Sequence, residues 1–164
     1  MQTTNRIDYR GSFWFPVTPD QLWATIERFD LFESWWAWLD DFQADNGGLV
    51  DGTMLHGMVV PPVPWRLHLE VRLVRCDRPR LIEADVDGDV HGDAALRLEQ
   101  AAEGTHATAA WSLRMNSTPL RVAVRAAHPL MQWGHDRVVD MTVSSFRQRA
   151  LSADGSPPVQ GPLA

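Results

Sequence analysis

The stretch WRLHLEVRLVR, residues 65–75, limits most strongly how this chain can fold, because apolar and polar residues alternate along all of it. A period of two is typical of a β-strand that buries one face and exposes the other to water. Strands of this kind build antiparallel sheets with one apolar and one solvated face. The apolar face carries Trp65, Leu67, Leu69, Val71 and Leu73, and the polar face carries Arg66, His68, Glu70 and Arg72.

Further strands are predicted on both sides of this one. Comparable segments lie at about 6–15, 52–60, 80–86, 90–100 and 105–115. Short turns separate most of them, and Asp87-Gly88 is a strong hairpin signal. Consecutive strands joined in this way predict an antiparallel meander. In the last segment one face carries Ala107, Ala109, Trp111, Leu113 and Met115.

A helix start follows the first strand. Thr18 is the predicted N-cap, Pro19 stands at the first helical position, and Gln21 completes a capping box. We expect this helix to end near Asp30. The sequence therefore predicts that a short helix leads the chain away from the first strand.

The segment LFESWWAWLDDF, residues 31–42, holds three of the eight tryptophans. At helical spacing its apolar residues fall within an arc of about 160°, and its acidic residues lie opposite. We therefore predict a second short helix here. The apolar arc consists of Leu31, Phe32, Trp35, Trp36, Trp38, Leu39 and Phe42.

A long helix is predicted at the end of the fold. Thr118 is its expected cap, Pro119 its first residue, and about Leu151 its end. Pro129 lies inside and should kink it. The tail, 152–164, is rich in Pro, Gly and small residues and is expected to be disordered. The predicted domain organisation is thus one domain, 1–151, and this tail.

Composition excludes several classes of protein. The 164 residues suit a single domain, and the net charge of -6 with scattered basic residues argues against nucleic-acid binding. No apolar run reaches the ~18 to 20 residues of a membrane span, so membrane insertion is not expected. Cys76 is the single cysteine, and the N-terminus has no signal-peptide pattern. These features predict a cytoplasmic protein.

The order of elements resembles the Bet v 1-like helix-grip superfamily, in its bacterial polyketide cyclase/dehydrase and START-like branch, the SRPBCC proteins. The resemblance covers about 5–151. It is carried by the segments FPVTPDQLWATIERFDLFESWW, DGTMLHG, GTHATAAWSLRMNS and HPLMQWGHDRVVDMTVSSFRQRAL.

The resemblance implies an α+β helix-grip fold. A curved antiparallel sheet would wrap around the long C-terminal helix, with two short helices after the first strand and a cavity between sheet and helix. It favours Leu55, Gly57 and Val59 on the inner face, where the alternation of 53–59 alone is ambiguous. The outer face would then carry Met54, His56 and Met58. It implies no cofactor.

Two histidines of the long helix are the candidate chemical groups. His128 and His135 are seven residues apart, so they share a face. One interpretation is a polar pair that binds ligand or acts as general acid and base. The other is two boundary histidines bonded to backbone or water. Their spacing does not suit zinc, for which a helix places histidines four apart.

Two further motifs are weak. DVDGDVHGD, residues 85–93, has three aspartates at calcium-loop spacing, but its glycine and closing residue are misplaced. A hairpin turn is the favoured interpretation, and no metal is expected. Arg75 and Arg78 flank Cys76 and could lower its pKa, although a small packed residue is the simpler reading.

Three functions remain open. The first is binding of a small hydrophobic or aromatic molecule, polyketide- or lipid-like, in the cavity; the second is a polyketide aromatase/cyclase-type enzyme using His128 and His135. The third is a regulatory or interaction domain with a vestigial cavity. The protein is expected to be a monomer or a weak homodimer. Candidate wall residues are Trp36, Trp65, Leu67, Leu69, Trp111, Leu113, His128, Met131 and His135.

The three clustered tryptophans are assigned different places. Trp35 and Trp38 are expected to pack in the core. Trp36 stands at the edge of the apolar arc, so we expect it to border the mouth of the cavity.

Overall fold

The computed structural model describes residues 6–60, 66–119, 121–122 and 128–150, and the side chains of 128–132, 134, 149 and 150 are left aside. The strands are β1 (Arg6–Phe15), β2 (Leu39–Ala44), β3 (Met54–Val59), β4 (Leu67–Asp77), β5 (Leu81–Gly88), β6 (Val90–Ala101) and β7 (Gly104–Met115). The helices are α1 (Pro19–Ile26), α2 (Phe32–Trp35) and α3 (His128–Ser145). A 3-10 turn, Phe29–Leu31, precedes α2, and a π-helical turn, Phe146–Ala150, follows α3.

The seven strands form one antiparallel sheet in the order β1-β7-β6-β5-β4-β3-β2. Chain neighbours from β2 to β7 are also sheet neighbours, while β1 pairs with β7 along its whole length. The meander is therefore closed at one side by the first strand. This curved sheet with a C-terminal helix confirms the predicted α+β helix-grip fold.

The start of α1 is formed as the sequence predicts. The Gln21 N–H donates to the Thr18 hydroxyl at 3.2 Å, and the Thr18 N–H donates to the Gln21 side chain at 3.0 Å. Pro19 is the first helical residue. The helix ends at Ile26, earlier than the expected Asp30, because the 3-10 turn takes over the next apolar residues. Leu22 and Trp23 are 1% exposed and anchor α1 in the core.

The predicted helix over 31–42 is wrong in its second half. The helix α2 ends at Trp35, and Trp36 already has extended backbone angles, φ -123° and ψ 102°. The strand β2 then begins at Leu39 and pairs with β3. Its register shifts between Asp40 and Gln43, and Asp41 has a φ of +50°.

This bulge explains the error. Asp40 and Asp41 are both exposed, whereas Leu39 and Phe42 pack against the core. Inward residues in β2 are therefore three apart, which is the spacing of a helix rather than of a regular strand. The sequence pattern alone cannot separate a bulged strand from a short amphipathic helix.

The inner face of the sheet follows the predicted alternation. The side chains of Leu67, Leu69 and Val71 in β4 lie on the concave side, as do the predicted apolar residues of β7. Gly57 in β3 also faces inward, because the side chain of Leu39 packs over it. On the outer face, polar side chains pair across strands. His56 Nδ1 lies 3.6 Å from Glu70 Oε1, and Arg72 lies 2.9 Å from Asp85.

The C-terminal helical region is described in two parts. Residues 118–119 and 121–122 are helical, and the Arg121 N–H donates to the Ser117 main-chain oxygen, so the helix begins at Thr118, one residue before the predicted first residue, Pro119. The helix α3 runs from His128 to Ser145. The kink expected at Pro129 depends on residues 123–127, which lie outside the described part, as does the tail 152–164.

Candidate functional site

A cavity of about 490 Å³ lies between the concave face of the sheet and α3. Six strands contribute to its wall, all except β2, because alternate residues of each point to the same side. The helix α1 and the segment after α2 close one end. The face of α3 that meets the cavity carries His135, Val138, Val139, Thr142 and Val143.

The described wall is almost entirely apolar. Its hydroxyl and imidazole groups come from Thr142 and His135, and its indole N–H groups from Trp36, Trp38 and Trp111. The Thr142 hydroxyl donates to the Val138 oxygen at 2.6 Å within α3. Most of these polar groups are therefore already bonded to the protein rather than directed at a guest.

A hydrogen bond joins the sheet to the helix at one side of the cavity. The indole N–H of Trp111 in β7 donates to Nε2 of His135 in α3 at 3.2 Å. On the other side of the imidazole, Nδ1 lies 3.3 Å from Asp136 Oδ1. The His135 side chain is 17% exposed, so this contact lies near the boundary between cavity and solvent.

Tyr9 supports this contact from β1. Its ring stacks on Trp111 with centroids 4.3 Å apart and an interplanar angle of 24°. It also lies 5.3 Å from the His135 ring. Burial raises the pKa of the Tyr9 hydroxyl, and the carboxylates of Asp136 and Asp140 act in the same direction. Tyr9 therefore stays neutral and serves as an aromatic support for the Trp111 ring.

Trp36 lines the cavity, as expected for the residue at the edge of the apolar arc. Its indole N–H donates to the Thr142 oxygen at 3.1 Å, which ties the segment after α2 to α3. Trp35 is 4% exposed and packs edge-on against Phe146, so its prediction as a core residue is confirmed.

Trp38 departs from its predicted place. Its ring stacks on that of Trp36 with centroids 5.6 Å apart, and it lines the cavity rather than packing only in the core. The extended backbone after α2 is the physical reason, because it turns the third indole toward the concave face. Its Nε1 is the one buried side-chain nitrogen or oxygen within the described residues that has no hydrogen-bond partner.

Six of the nine candidate wall residues lie at the cavity: Trp36, Leu67, Leu69, Trp111, Leu113 and His135. Trp65 lies outside the described residues, and so do the side chains of His128 and Met131. The predicted pairing of the two histidines therefore stays a prediction. In its place, the structure brings His135 against Trp111 and Tyr9.

Several wall residues escaped the sequence analysis. Val86, Val90, Ala94 and Leu96 line the cavity from β5 and β6. Their alternation was available in the sequence, but no member of these strands was singled out as a site residue. Residues of α3 such as Val139 could not be assigned with the same ease, since the helix packs by a broad face.

The weaker motifs have structural roles. The aspartates of 85–93 surround the hairpin at Gly88, whose φ is +114°, and β5 and β6 flank it, so the hairpin interpretation is confirmed. Over the described residues, no group of three or more His, Cys, Asp or Glu is placed to hold a metal ion.

The suggestion that Arg75 and Arg78 lower the pKa of the Cys76 thiol is wrong. Burial raises the pKa of the Cys76 thiol to about 11, and the carboxylates of Asp51 and Glu27 add to the shift. The Arg78 guanidinium is engaged elsewhere, since it lies 3.1 Å from Glu27. Sequence neighbours did not reveal the acidic side chains that fold against this thiol.

Comparison with known proteins places this geometry in a family. The chain belongs to the polyketide cyclase/dehydrase and lipid transport family, whose model matches residues 6–150. This confirms the resemblance to the Bet v 1-like superfamily. No curated protein matches the chain. The family and the fold together support a domain that binds hydrophobic ligands.

Solved structures share the fold at low identity. The protein TTHA0849 from Thermus thermophilus is 13% identical, with a TM-score of 0.71, and the match covers 91% of this chain and 100% of that one. A conserved protein from Geobacillus kaustophilus is 9% identical, with a TM-score of 0.70 and coverages of 90% and 97%. Truncated norcoclaurine synthase from Thalictrum flavum is 11% identical, with a TM-score of 0.62 and coverages of 92% and 96%.

None of the helices in the described ranges combines the length and the apolarity that crossing a membrane requires.

Proposed function

We propose that this protein binds one small hydrophobic or aromatic molecule, polyketide- or lipid-like, in the cavity between the sheet and α3. The observation that carries the proposal is a cavity of about 490 Å³ with an almost wholly apolar described wall. Ligand sites commonly have volumes of about 300 to 1,000 Å³ and apolar walls with few polar groups. The cavity fits that class in both respects.

The driving force for such binding is desolvation. Each 100 Å² of apolar ligand surface removed from water contributes about 2.5 kcal/mol before the costs of association. Aromatic walls suit a flat or aromatic guest, because Trp36, Trp38 and Trp111 each present a large ring surface to the cavity. The wall therefore recognises a ligand by its shape and its apolar surface rather than by its charge.

The polar groups favour a binding protein over an aromatase/cyclase. Aldol condensation and dehydration need both a general base and a general acid within reach of the reacting atoms. The described wall offers one imidazole, that of His135, whose Nε2 accepts the Trp111 N–H and whose Nδ1 faces Asp136. A vestigial cavity is also disfavoured, because a void of about 490 Å³ is far larger than the gaps of a packed core.

A pair of substitutions on one strand tests the proposal. Ala109 faces the cavity, whereas Ala110 lies next to it on the outer face of β7. Ala109→Phe should fill part of the cavity and weaken binding of an environment-sensitive naphthalenesulfonate dye by at least about tenfold. Ala110→Phe should leave dye binding unchanged. A dye that binds both variants equally, or that does not bind the parent protein, would contradict the proposal.

Native mass spectrometry of the purified protein gives an independent measurement. A co-purifying apolar molecule that is lost in Ala109→Phe but retained in Ala110→Phe would support a ligand in this cavity. The same extraction identifies the ligand's class.

A further inference from the structure

We infer that the contact between Trp111 and His135 is a recognition site for a hydroxyl group, so the ligand is an apolar molecule with an alcohol or phenol hydroxyl. The inference rests on the proposed function and refines it. It concerns the one polar contact between two side chains that both line the described wall of the cavity.

The first step is the assignment of the proton on His135. An indole N–H can only donate, so Nε2 of His135 must accept it, at 3.2 Å. A neutral imidazole that accepts at Nε2 carries its proton at Nδ1, which lies 3.3 Å from Asp136 Oδ1. The two neighbours therefore favour the same tautomer. The cavity side of the contact then consists of one donor, from Trp111, and one acceptor, from His135.

The second step is the chemistry that can replace this bond. A hydroxyl group placed between the two rings accepts from Trp111 and donates to His135, so both protein groups stay satisfied. A ketone or an ether oxygen can only accept, which leaves the lone pair of His135 without a donor. A buried acceptor that loses its partner is costly. The pair therefore discriminates a hydroxyl from other oxygen groups.

The third step is the support around the pair. Tyr9 stacks on Trp111 and lies beside His135, so its ring packs against both members of the pair. An oxygen between the two nitrogens needs about 2.9 Å to each. The two nitrogens are 3.2 Å apart, so they must move apart when the oxygen enters between them.

The other polar groups of the described wall do not offer this combination. The Trp36 N–H and the Thr142 hydroxyl both donate to main-chain oxygens of α3. The Trp38 N–H is a donor alone. Trp111 and His135 thus form a donor and acceptor pair to which a hydroxyl is complementary.

Matched ligands and variants test this inference by calorimetry or competition with a fluorescent dye. The ligands are 2-naphthol and 2-methoxynaphthalene, which share a ring system and differ in the ability to donate. The measured quantity is the ratio of their affinities in each protein. His135→Leu removes the acceptor and should shift the ratio by about three- to tenfold toward the methyl ether. Trp111→Phe should produce no such shift, because both ligand oxygens can accept from the indole N–H and the acceptor on His135 remains. His135→Gln should retain the parent ratio, because the amide oxygen can still accept from the Trp111 N–H or from the ligand hydroxyl.

Trp36→Phe is the matched control. It removes another indole N–H from the same cavity, so it should weaken both ligands alike and keep their ratio. An unchanged ratio in His135→Leu, with both ligands bound, would overturn the inference and leave the proposed function standing. Failure of both ligands to bind the parent protein would overturn the proposed function itself. Circular dichroism establishes that each variant is folded before its ratio is used.

Discussion

The indole N–H of Trp36 donates to the main-chain oxygen of Thr142 at 3.1 Å, and this bond ties the segment after α2 to the last turn of α3. Trp36 also stacks on Phe146 beyond the end of that helix. One side chain therefore closes one end of the cavity and fastens the helix that covers it. Stability and ligand binding are coupled at this residue.

Trp36→Phe should lower the free energy of unfolding by about 0.5 to 1.5 kcal/mol, since it keeps an aromatic ring but loses the hydrogen bond to α3. Urea denaturation followed by circular dichroism measures the change. Trp133→Phe is the control, because Trp133 is 53% exposed on α3 and its substitution should change stability little. Equal stability losses in the two variants would show that the bond to Thr142 contributes nothing.

Trp38→Phe should behave differently from the same substitution at Trp36. The buried Nε1 of Trp38 has no hydrogen-bond partner, so its removal eliminates the cost of burying an unpaired donor, about 1 to 3 kcal/mol. The smaller ring loses some apolar contact, which offsets part of this gain. We expect the free energy of unfolding to be unchanged or higher.

The two tryptophans stack on each other, so the substitutions are closely matched. The same urea experiment compares them. A loss in Trp38→Phe as large as that in Trp36→Phe would mean that the unpaired donor imposes no cost.

Gly11→Ala should disturb the aromatic support of the proposed hydroxyl site. A β-carbon at Gly11 would clash with the Tyr9 hydroxyl oxygen, so the Tyr9 ring would have to shift from its place beside Trp111. We expect a loss of about 1 to 3 kcal/mol in the free energy of unfolding and a changed near-ultraviolet circular dichroism spectrum.

Gly47→Ala is the matched control for this substitution, because nothing lies within 4 Å of a β-carbon at Gly47. It should leave both measurements close to those of the parent protein. A Gly11→Ala variant with parental stability and spectrum would show that the contact between Tyr9 and Trp111 can relax at no cost.

Much of the fold could be predicted because its information is local. The alternation in β4 and β7 fixed which residues face the cavity, and the capping box at Thr18 fixed the start of α1. The bulge at Asp41 was the exception. It gives a strand the residue spacing of a helix, and no neighbouring residue in the sequence distinguishes the two.

The site was less predictable because its polar contacts join distant elements. Trp111 and His135 were both candidates, but their hydrogen bond depends on how α3 lies across β7. The unpaired N–H of Trp38 could not be predicted for the same reason, since it depends on how distant elements pack together. This also holds for the carboxylates of Asp51 and Glu27 near Cys76. Patterns along the chain report which face a residue occupies, whereas they do not report which side chain it meets.

The Cys76 thiol should be slow to react. Burial raises its pKa to about 11, and the carboxylates of Asp51 and Glu27 act in the same direction. Because the thiolate is the reactive form, alkylation by iodoacetamide at pH 8 should be at least about tenfold slower than that of a model thiol with the ordinary pKa of 9.0. Mass spectrometry follows the rate, which should keep rising with pH beyond 9.

The same shift predicts a loss of stability in alkali. The folded-state pKa lies above the ordinary value of 9.0, so the unfolded chain releases its thiol proton first. The stabilising contribution is therefore complete below pH 9 and is lost as the pH rises toward 11.

Asp51→Asn should speed alkylation at pH 9, since it removes a charge but keeps a side-chain oxygen that can accept a hydrogen bond from the Cys76 main-chain N–H. If Cys76 in the parent protein were alkylated as fast as the model thiol, this would contradict its raised pKa.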